Sequence, residues 1–469
     1  MAAQARVDVG GILRPQGRPD MSNALQPYRE TLGERAAAHL LRRAGFGGTP
    51  DEVRRYAAMR ADDAVASLVS VPSADSIGPP QEADVDGPID DKIEARDSEL
   101  ALQLWWLNRM LTTQAPLQEK MTLYFHGHFT SRSTRRFPRI TYDQNALFRQ
   151  WATGNLRELT RAVSKDAAML IYLNGASNVA AHPNENYARE LMELFTLGVD
   201  NYTEQDVRES ARAWTGWRVT RSTATVRFVP SQHDYGTKTF LGRTGDFDGD
   251  DIVDIIFSQA QCARFFAASL LNWFVYNDPE PELVERVGTL LQEHNFELTP
   301  VLAAILGSNL FFSERAYRAL VKSPVEFVIG TYKTLGLPAV DKAVLPALVQ
   351  MGQHLFYPPN VAGWPGGENW LTSGTMIARQ NFLTRLLGSQ TLEASPWLRG
   401  LPMTPKSAAR ELAQIVLQDD VSPASLVELE GYLGGSGSAA LAMLSAENFD
   451  QRVSGAVYLA MATSAYQLN

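Results

Sequence analysis

Along most of this chain apolar residues recur every three to four positions, the spacing that gathers them on one side of an α-helix. The run Arg35-Ala-Ala-Ala-His-Leu-Leu-Arg-Arg43 is the first clear instance, and it stops at Gly45-Phe-Gly-Gly48. Pro50-Asp-Glu52 opens a second helix, with proline in its first turn and two acids against the positive helix end, running to about Val69. The same spacing predicts helices over 98–112, 116–129, 143–152, 155–165, 184–197, 203–215, 250–274 with breaks, 280–294, 299–306, 324–336 and 345–355, and three or four more after Pro405. Residues 217–229 instead alternate and are rich in Thr and Val, which predicts one β-hairpin. The expected fold is all-α, a large multi-helix array with one small hairpin and long shaped loops.

Several stretches fall outside the helical pattern. Residues 1–30 are rich in Gly, Pro and Gln and read as a flexible N-terminal arm. Within a main helical domain over 31–400, residues 71–97 place Pro72, Pro79, Pro80 and Pro88 among acids, as expected of a surface excursion. The prolines and glycines of Tyr357–Gly367 exclude regular structure and predict a shaped loop. Residues 401–469, around Gly434-Gly-Ser-Gly-Ser438, form a C-terminal helical subdomain or the last layer of the same domain. No repeat of fixed period argues for a solenoid.

Composition narrows the function classes. Hydrophobic residues at 45% and charged residues at 20% of 469 are those of a globular protein. Lys plus Arg at 43 against Asp plus Glu at 52 gives −9, which argues against general nucleic-acid binding. A single cysteine, Cys262, excludes an internal disulfide and a thiolate-only metal cage. No apolar run is long enough to span a bilayer, and Met1–Glu30 lacks the apolar stretch of a secretory signal, so the sequence as given points to the cytoplasm.

Candidate chemistry concentrates in two segments, Tyr124-Phe-His-Gly-His-Phe-Thr130 and His182-Pro-Asn-Glu-Asn-Tyr-Ala-Arg-Glu-Leu-Met-Glu-Leu-Phe195. On an unbroken helix His126 and His128 would point about 200° apart, so they can share a site only if Gly127 distorts or ends the helix. Asn186, Glu190 and Glu193 line one flank of an apolar stripe, and carboxylates at i and i+3 with histidines from another helix are an arrangement used for iron, manganese or zinc. The bland alternative is a helix laced by Glu185, Arg189 and Glu193 ion pairs. In Ser231–Gly242, His233, Asp234 and Lys238 suit proton transfer on a loop, or else an Asp-centred turn. Asp246-Phe-Asp-Gly-Asp-Asp251 lacks the glycine and the final Glu of an EF-hand and is expected to cap a helix. Trp217, Asn360 and Trp364 are candidate binding residues in rigid loops, though such aromatics more often plug a core edge. Nucleophile-elbow, phosphate-loop and dinucleotide fingerprints do not stand out.

The chain resembles the bacterial "domain of unknown function 1800" family. The resemblance rests on His39-Leu-Leu-Arg-Arg-Ala-Gly-Phe-Gly47, Phe125-His-Gly-His-Phe-Thr-Ser131, Asn184–Gly198, Ala213-Trp-Thr-Gly-Trp217, His233–Gly242 and Met351–Gly367. It implies one large domain, an extracytoplasmic (periplasmic or secreted) setting and a sulfatase-like protein partner. The chain departs from the family pattern at Phe125, Gly127 and Phe195, where relatives tend to carry Trp, Asn and His.

Two functional expectations follow. One is a metal-dependent hydrolase or oxidoreductase holding Zn, Fe, Mn or Cu on His126, His128, Glu190 and Glu193, with His233, Asp234, Lys238 and Arg189 as catalytic candidates. The other is a non-catalytic helical binding or assembly protein whose polar motifs are buried networks fixing the core.

Overall fold

The computed structural model describes residues 21–70, 80, 83, 87–388, 394–402, 404–434 and 446–469, the side chains of 446–449 excepted. The fold is mainly α-helical. In chain order the helices are α1 (Gly33–Arg43), α2 (Pro50–Ala57), α3 (Ala61–Val69), α4 (Lys92–Thr112), α5 (Pro116–His128), α6 (Pro138–Gln150), α7 (Leu156–Ser164), α8 (Ala167–Tyr172) and α9 (Asn186–Glu190). α9 runs on as a π-helix over Leu191–Thr196. They are followed by α10 (Glu204–Ala213), α11 (Gly249–Phe257), α12 (Ala260–Phe274), α13 (Pro281–Glu293), α14 (Leu298–Leu306), α15 (Pro324–Leu335), α16 (Val344–Gln350) and α17 (Ser373–Leu387). After a short turn at Pro396–Arg399 come α18 (Pro405–Leu417), α19 (Pro423–Gly434) and α20 (Ala446–Ala462).

Local chemistry sets many of the helix starts. Thr49 with Glu52, Thr203 with Asp206, Asp248 with Asp251 and Ser323 with Glu326 form reciprocal capping boxes that satisfy otherwise orphaned N–H groups. The Asp246–Asp251 run is thus a helix cap, as its residue order predicts. The single helix expected from 50 to 69 is two, α2 and α3, with Arg60 in extended backbone between them. Leu345–Leu355 ends early at Gln350, where Gly352 at φ +96 turns the chain and Gln353 accepts the Val325 N–H at 2.9 Å.

The expected hairpin is present, Trp217–Thr220 (β1) pairing with Thr225–Phe228 (β2) in register Trp217 to Phe228. A second one, Lys238–Phe240 (β3) with Arg243–Gly245 (β4), replaces part of the stretch read as loop. Of the N-terminal arm, residues from 21 on are described and are tied down: Tyr28 donates to the Gly307 carbonyl at 2.8 Å, and Asn309 and Leu310 donate to Gln26 and Ala24. Most of the 71–97 excursion and residues 435–438 lie outside the described residues, and from Lys92 the excursion is already helix, capped by Asp91.

Two apolar cores share the molecule. One gathers α1, α3, α5, α7 and the helices α9 to α14. The other gathers α4, α15 to α17 and the three C-terminal helices, so the tail is built on the same core as α15. Helix α5 lies between them, giving Leu117, Met121 and Phe125 to the first and Leu123 to the second. No helix among the described residues is long and apolar enough to cross a membrane.

Candidate functional site

Helix α5 positions the first motif. Ten consecutive residues, Leu117–His126, are buried, so its polar side chains cannot reach water and must find partners inside. Glu119 accepts from Trp106 Nε1 at 2.9 Å and from Arg149 Nε at 2.5 Å, and is ion-paired with Arg109. Its neighbour Lys120 is ion-paired with Glu326. Although burial alone would push the Glu119 carboxyl up, the two arginines hold it below its ordinary value.

The helix stays unbroken through Gly127 to His128, so the two histidines point to opposite sides. His126 sits edge-on to Trp106 and Phe356, against Trp364, and its Nε2 accepts the Phe356 N–H at 3.1 Å. His128 stacks on Tyr124 beside Phe266, and its Nε2–H donates to the Phe195 carbonyl at 2.9 Å. Burial lowers the first imidazole to about 3 and the second to about 4, so both are neutral near pH 7.

The proline–glycine loop is docked on this motif. Thr130 donates to the Val361 carbonyl, and the Ser133 N–H donates to the Phe356 carbonyl at 2.9 Å. Gly363, at φ +78, comes so close that a Cβ there would stand 2.4 Å from the Gly127 carbonyl oxygen. Trp364 is half-buried against His126 and near Trp370, an edge plug, while Asn360 is exposed and accepts the Ala362 N–H at 2.9 Å as a turn residue.

In the second motif the change from α to π geometry after Glu190 widens the turn between the two carboxylates. Glu193 accepts from the Tyr202 hydroxyl. The Glu190 carboxyl is raised, first by burial and then by Glu193 beside it. Arg189 is held by Glu204 of α10 at 2.7 and 2.9 Å and by Glu185 at 3.4 Å, so the Glu185 pair of the bland reading forms while Glu193 bonds Tyr202 instead of joining it. Asn186 is exposed on the first turn, and its N–H donates to Asn184 Oδ1 at 3.1 Å. The structure does not bring His126, His128, Glu190 and Glu193 together, and no group of three or more His, Cys, Asp or Glu among the described residues is gathered to hold a metal ion.

The third cluster joins two further motifs. His233 Nδ1–H donates to the Thr215 carbonyl at 2.9 Å, and the Asp234 N–H donates to Thr215 Oγ1 at 2.8 Å. Asp234 takes a two-pronged bond from Arg212, at 2.7 and 3.1 Å, which holds its carboxyl below the usual range. Lys238, 1% exposed, donates to the Asp234 and Gly236 carbonyls at 2.7 and 2.9 Å, and burial lowers its ammonium. This is the Asp-centred turn, with its lysine buried rather than solvated. Trp217 is half-buried against Phe228, with the Lys165 ammonium 5.5 Å from its ring.

Sequence reasoning passed over the buried charges Glu119 and Lys120, 0% and 1% exposed. Their signal was two adjacent charges, with Gln118 and Thr122 close by, among the apolar residues of Leu117–Phe125. His39 and Arg43, from the first motif, serve the fold in the same way: His39 meets the Phe311 carbonyl at 2.9 Å, and Arg43 donates to those of Phe274, Val275 and Ala316.

The fold and its motif clusters are those of a mainly helical domain. The chain belongs to the family described as "Protein of unknown function (DUF1800)", whose match covers residues 39–468. No curated protein and no solved structure matched it.

Two predictions follow from the geometry. Because unfolded imidazole titrates near 6.5 while His126 and His128 stay neutral in the fold, the unfolded state binds more protons between about pH 6.5 and 4. Urea unfolding across that range should show each histidine removing up to about 1.4 kcal/mol of stability per pH unit as pH falls. Asp166, raised to about 7 by burial, works in the opposite sense, so the diagnostic is a shallower decline in His128→Gln than in wild type. Separately, Gly363→Ala should cost about 2 kcal/mol or more in chemical denaturation, since both the left-handed backbone and the Gly127 carbonyl oppose a Cβ.

Proposed function

We propose that the protein is a non-catalytic helical binding or assembly protein whose His, Glu and Trp motifs hold the core and its loops in register. The observation that carries this reading is that His126 and His128, on opposite sides of one unbroken helix, each commit a ring nitrogen to a backbone group of a different segment. The candidate catalytic groups are committed likewise: Asp234 to Arg212, Lys238 to two carbonyls, Arg189 to Glu204. Ionised and buried groups spent this way stabilise one arrangement and leave little free for proton transfer. A sulfatase-like protein partner and an extracytoplasmic setting, which the family resemblance implies, belong to the same proposal.

A metal-dependent enzyme is the second reading, favoured by one observation: Glu190 is half-buried beside Glu193, and a divalent cation would offset the burial, and then the repulsion, that raise its carboxyl. Mass spectrometry of protein purified without an affinity metal column separates the two. The binding reading predicts no near-stoichiometric metal, a stability loss of about 2 kcal/mol or more in His126→Ala, and little change in Glu190→Gln. Near-stoichiometric Zn, Fe, Mn or Cu that is lost in a folded Glu190→Gln, Glu193→Gln variant overturns it in favour of the enzyme.

A further inference from the structure

A cavity of about 420 Å³ opens between α1, the segment leading into α15, and α18. Its floor carries three buried cations from two elements: Arg42 on α1, and Arg318 and Lys322 before α15. Arg42 spends Nη1 on Gln418 Oε1 at 2.6 Å and lies 5.7 Å from the Tyr317 ring, whose hydroxyl is its nearest further acceptor, while its buried Nε and Nη2, the two donors that form one edge of the guanidinium, make no close hydrogen bond. The Lys322 ammonium, 4% exposed, faces the Tyr466 ring at 3.8 Å and has no acceptor among the described residues.

Glu326 is paired with Lys120 and also takes the Asn469 amide at 2.9 Å, while Asp420 is paired with Arg318 at 2.9 Å. Of the other acids in the lining, Glu34 takes the Gln414 amide at 2.7 Å and Glu411 stands half-exposed on α18. Positive charge buried without a counter-charge is strongly disfavoured, and a bound anion would cancel that penalty. Burial first, then the neighbouring arginines, push the Lys322 ammonium well below its ordinary range, and burial with Arg318 lowers Arg42 to about 10. The wall above is apolar at Phe46 and Ile415, and Arg410 stands on the exposed rim.

The geometry points to a binding site for an organic oxyanion, a phosphate or carboxylate group seated on the free edge of Arg42 and on Lys322, with an apolar body against Phe46 and Ile415. An arginine edge presents two parallel donors that match two oxygens of either group, and the adjacent ammonium adds a point charge. The volume is that of a small-molecule pocket. This site is remote from the metal question and stands whichever reading of the histidine and glutamate motifs holds.

Isothermal titration of the full chain with inorganic phosphate, and separately with hexanoate, in chloride buffers of equal ionic strength tests it. One saturable site for at least one probe is expected, weakened at least tenfold in Arg42→Lys, which keeps the charge but removes the edge, and in Lys322→Met. Phosphate binding alone assigns a phosphoryl head, and hexanoate binding alone a carboxylate one. Circular dichroism verifies folding, and should Lys322→Met fail to fold, Arg42→Lys decides. No saturable binding of either probe, or binding unchanged in Arg42→Lys, overturns the proposal.

Discussion

The structure depends on how two adjacent opposite charges are matched inside a helix that has no solvent face. Glu119 and Lys120 differ by about 100° in direction on α5. Glu119 draws Arg109 and Trp106 from α4 and Arg149 from α6, and Lys120 draws Glu326 from the first turn of α15. A buried charge without a partner is far costlier than a missing apolar contact, so these pairings fix the rotation of α5 and the approach of three helices to it. Once α5 is fixed, so is the seam between the two apolar cores.

The signature motifs are the continuation of that seam. At the far end of α5 the same rotation sends His126 toward Trp106 and Phe356, and His128 toward Phe195 and Phe266. Each imidazole reaches a backbone group of a distant segment, so a short string of residues ties the π-helix to one side and the proline–glycine loop to the other. The glycines are the steric counterpart: Gly363 lets that loop rest against the Gly127 carbonyl. Long, ordered motifs of this kind arise where one turn of helix must satisfy several segments at once.

Much of this was legible in the sequence, and what was not has physical causes. Helical spacing located most of the helices, because a helix packed on one side must repeat its apolar face, but it passed over α8 and the fifteen-residue α17. It erred where spacing carries no information: α2 and α3 read as one helix because the break at Arg60 needs only a change of backbone angle, and β3 with β4 has a three-residue register too short to alternate visibly. The condition on His126 and His128 was stated correctly, but whether Gly127 would end the helix could not be read from the chain, since glycine is tolerated inside a helix at a cost of about 1 kcal/mol. The i, i+3 alignment of Glu190 and Glu193 presumed α geometry that the π-turn replaces. Glu119 and Lys120 escaped notice because a charged pair within an apolar helix looks the same in sequence whether it reaches water or a buried partner.

Equilibrium urea unfolding of Glu119→Gln tests this account most directly, because the substitution keeps the side chain's shape and removes only its charge, leaving Arg109 and Arg149 buried without a counter-charge. A loss of about 3 kcal/mol or more is predicted, in the range measured when one partner of a buried ion pair is removed. Stability within about 0.5 kcal/mol of wild type, the size of an ordinary surface change, would contradict it and place the organising constraint of the fold elsewhere.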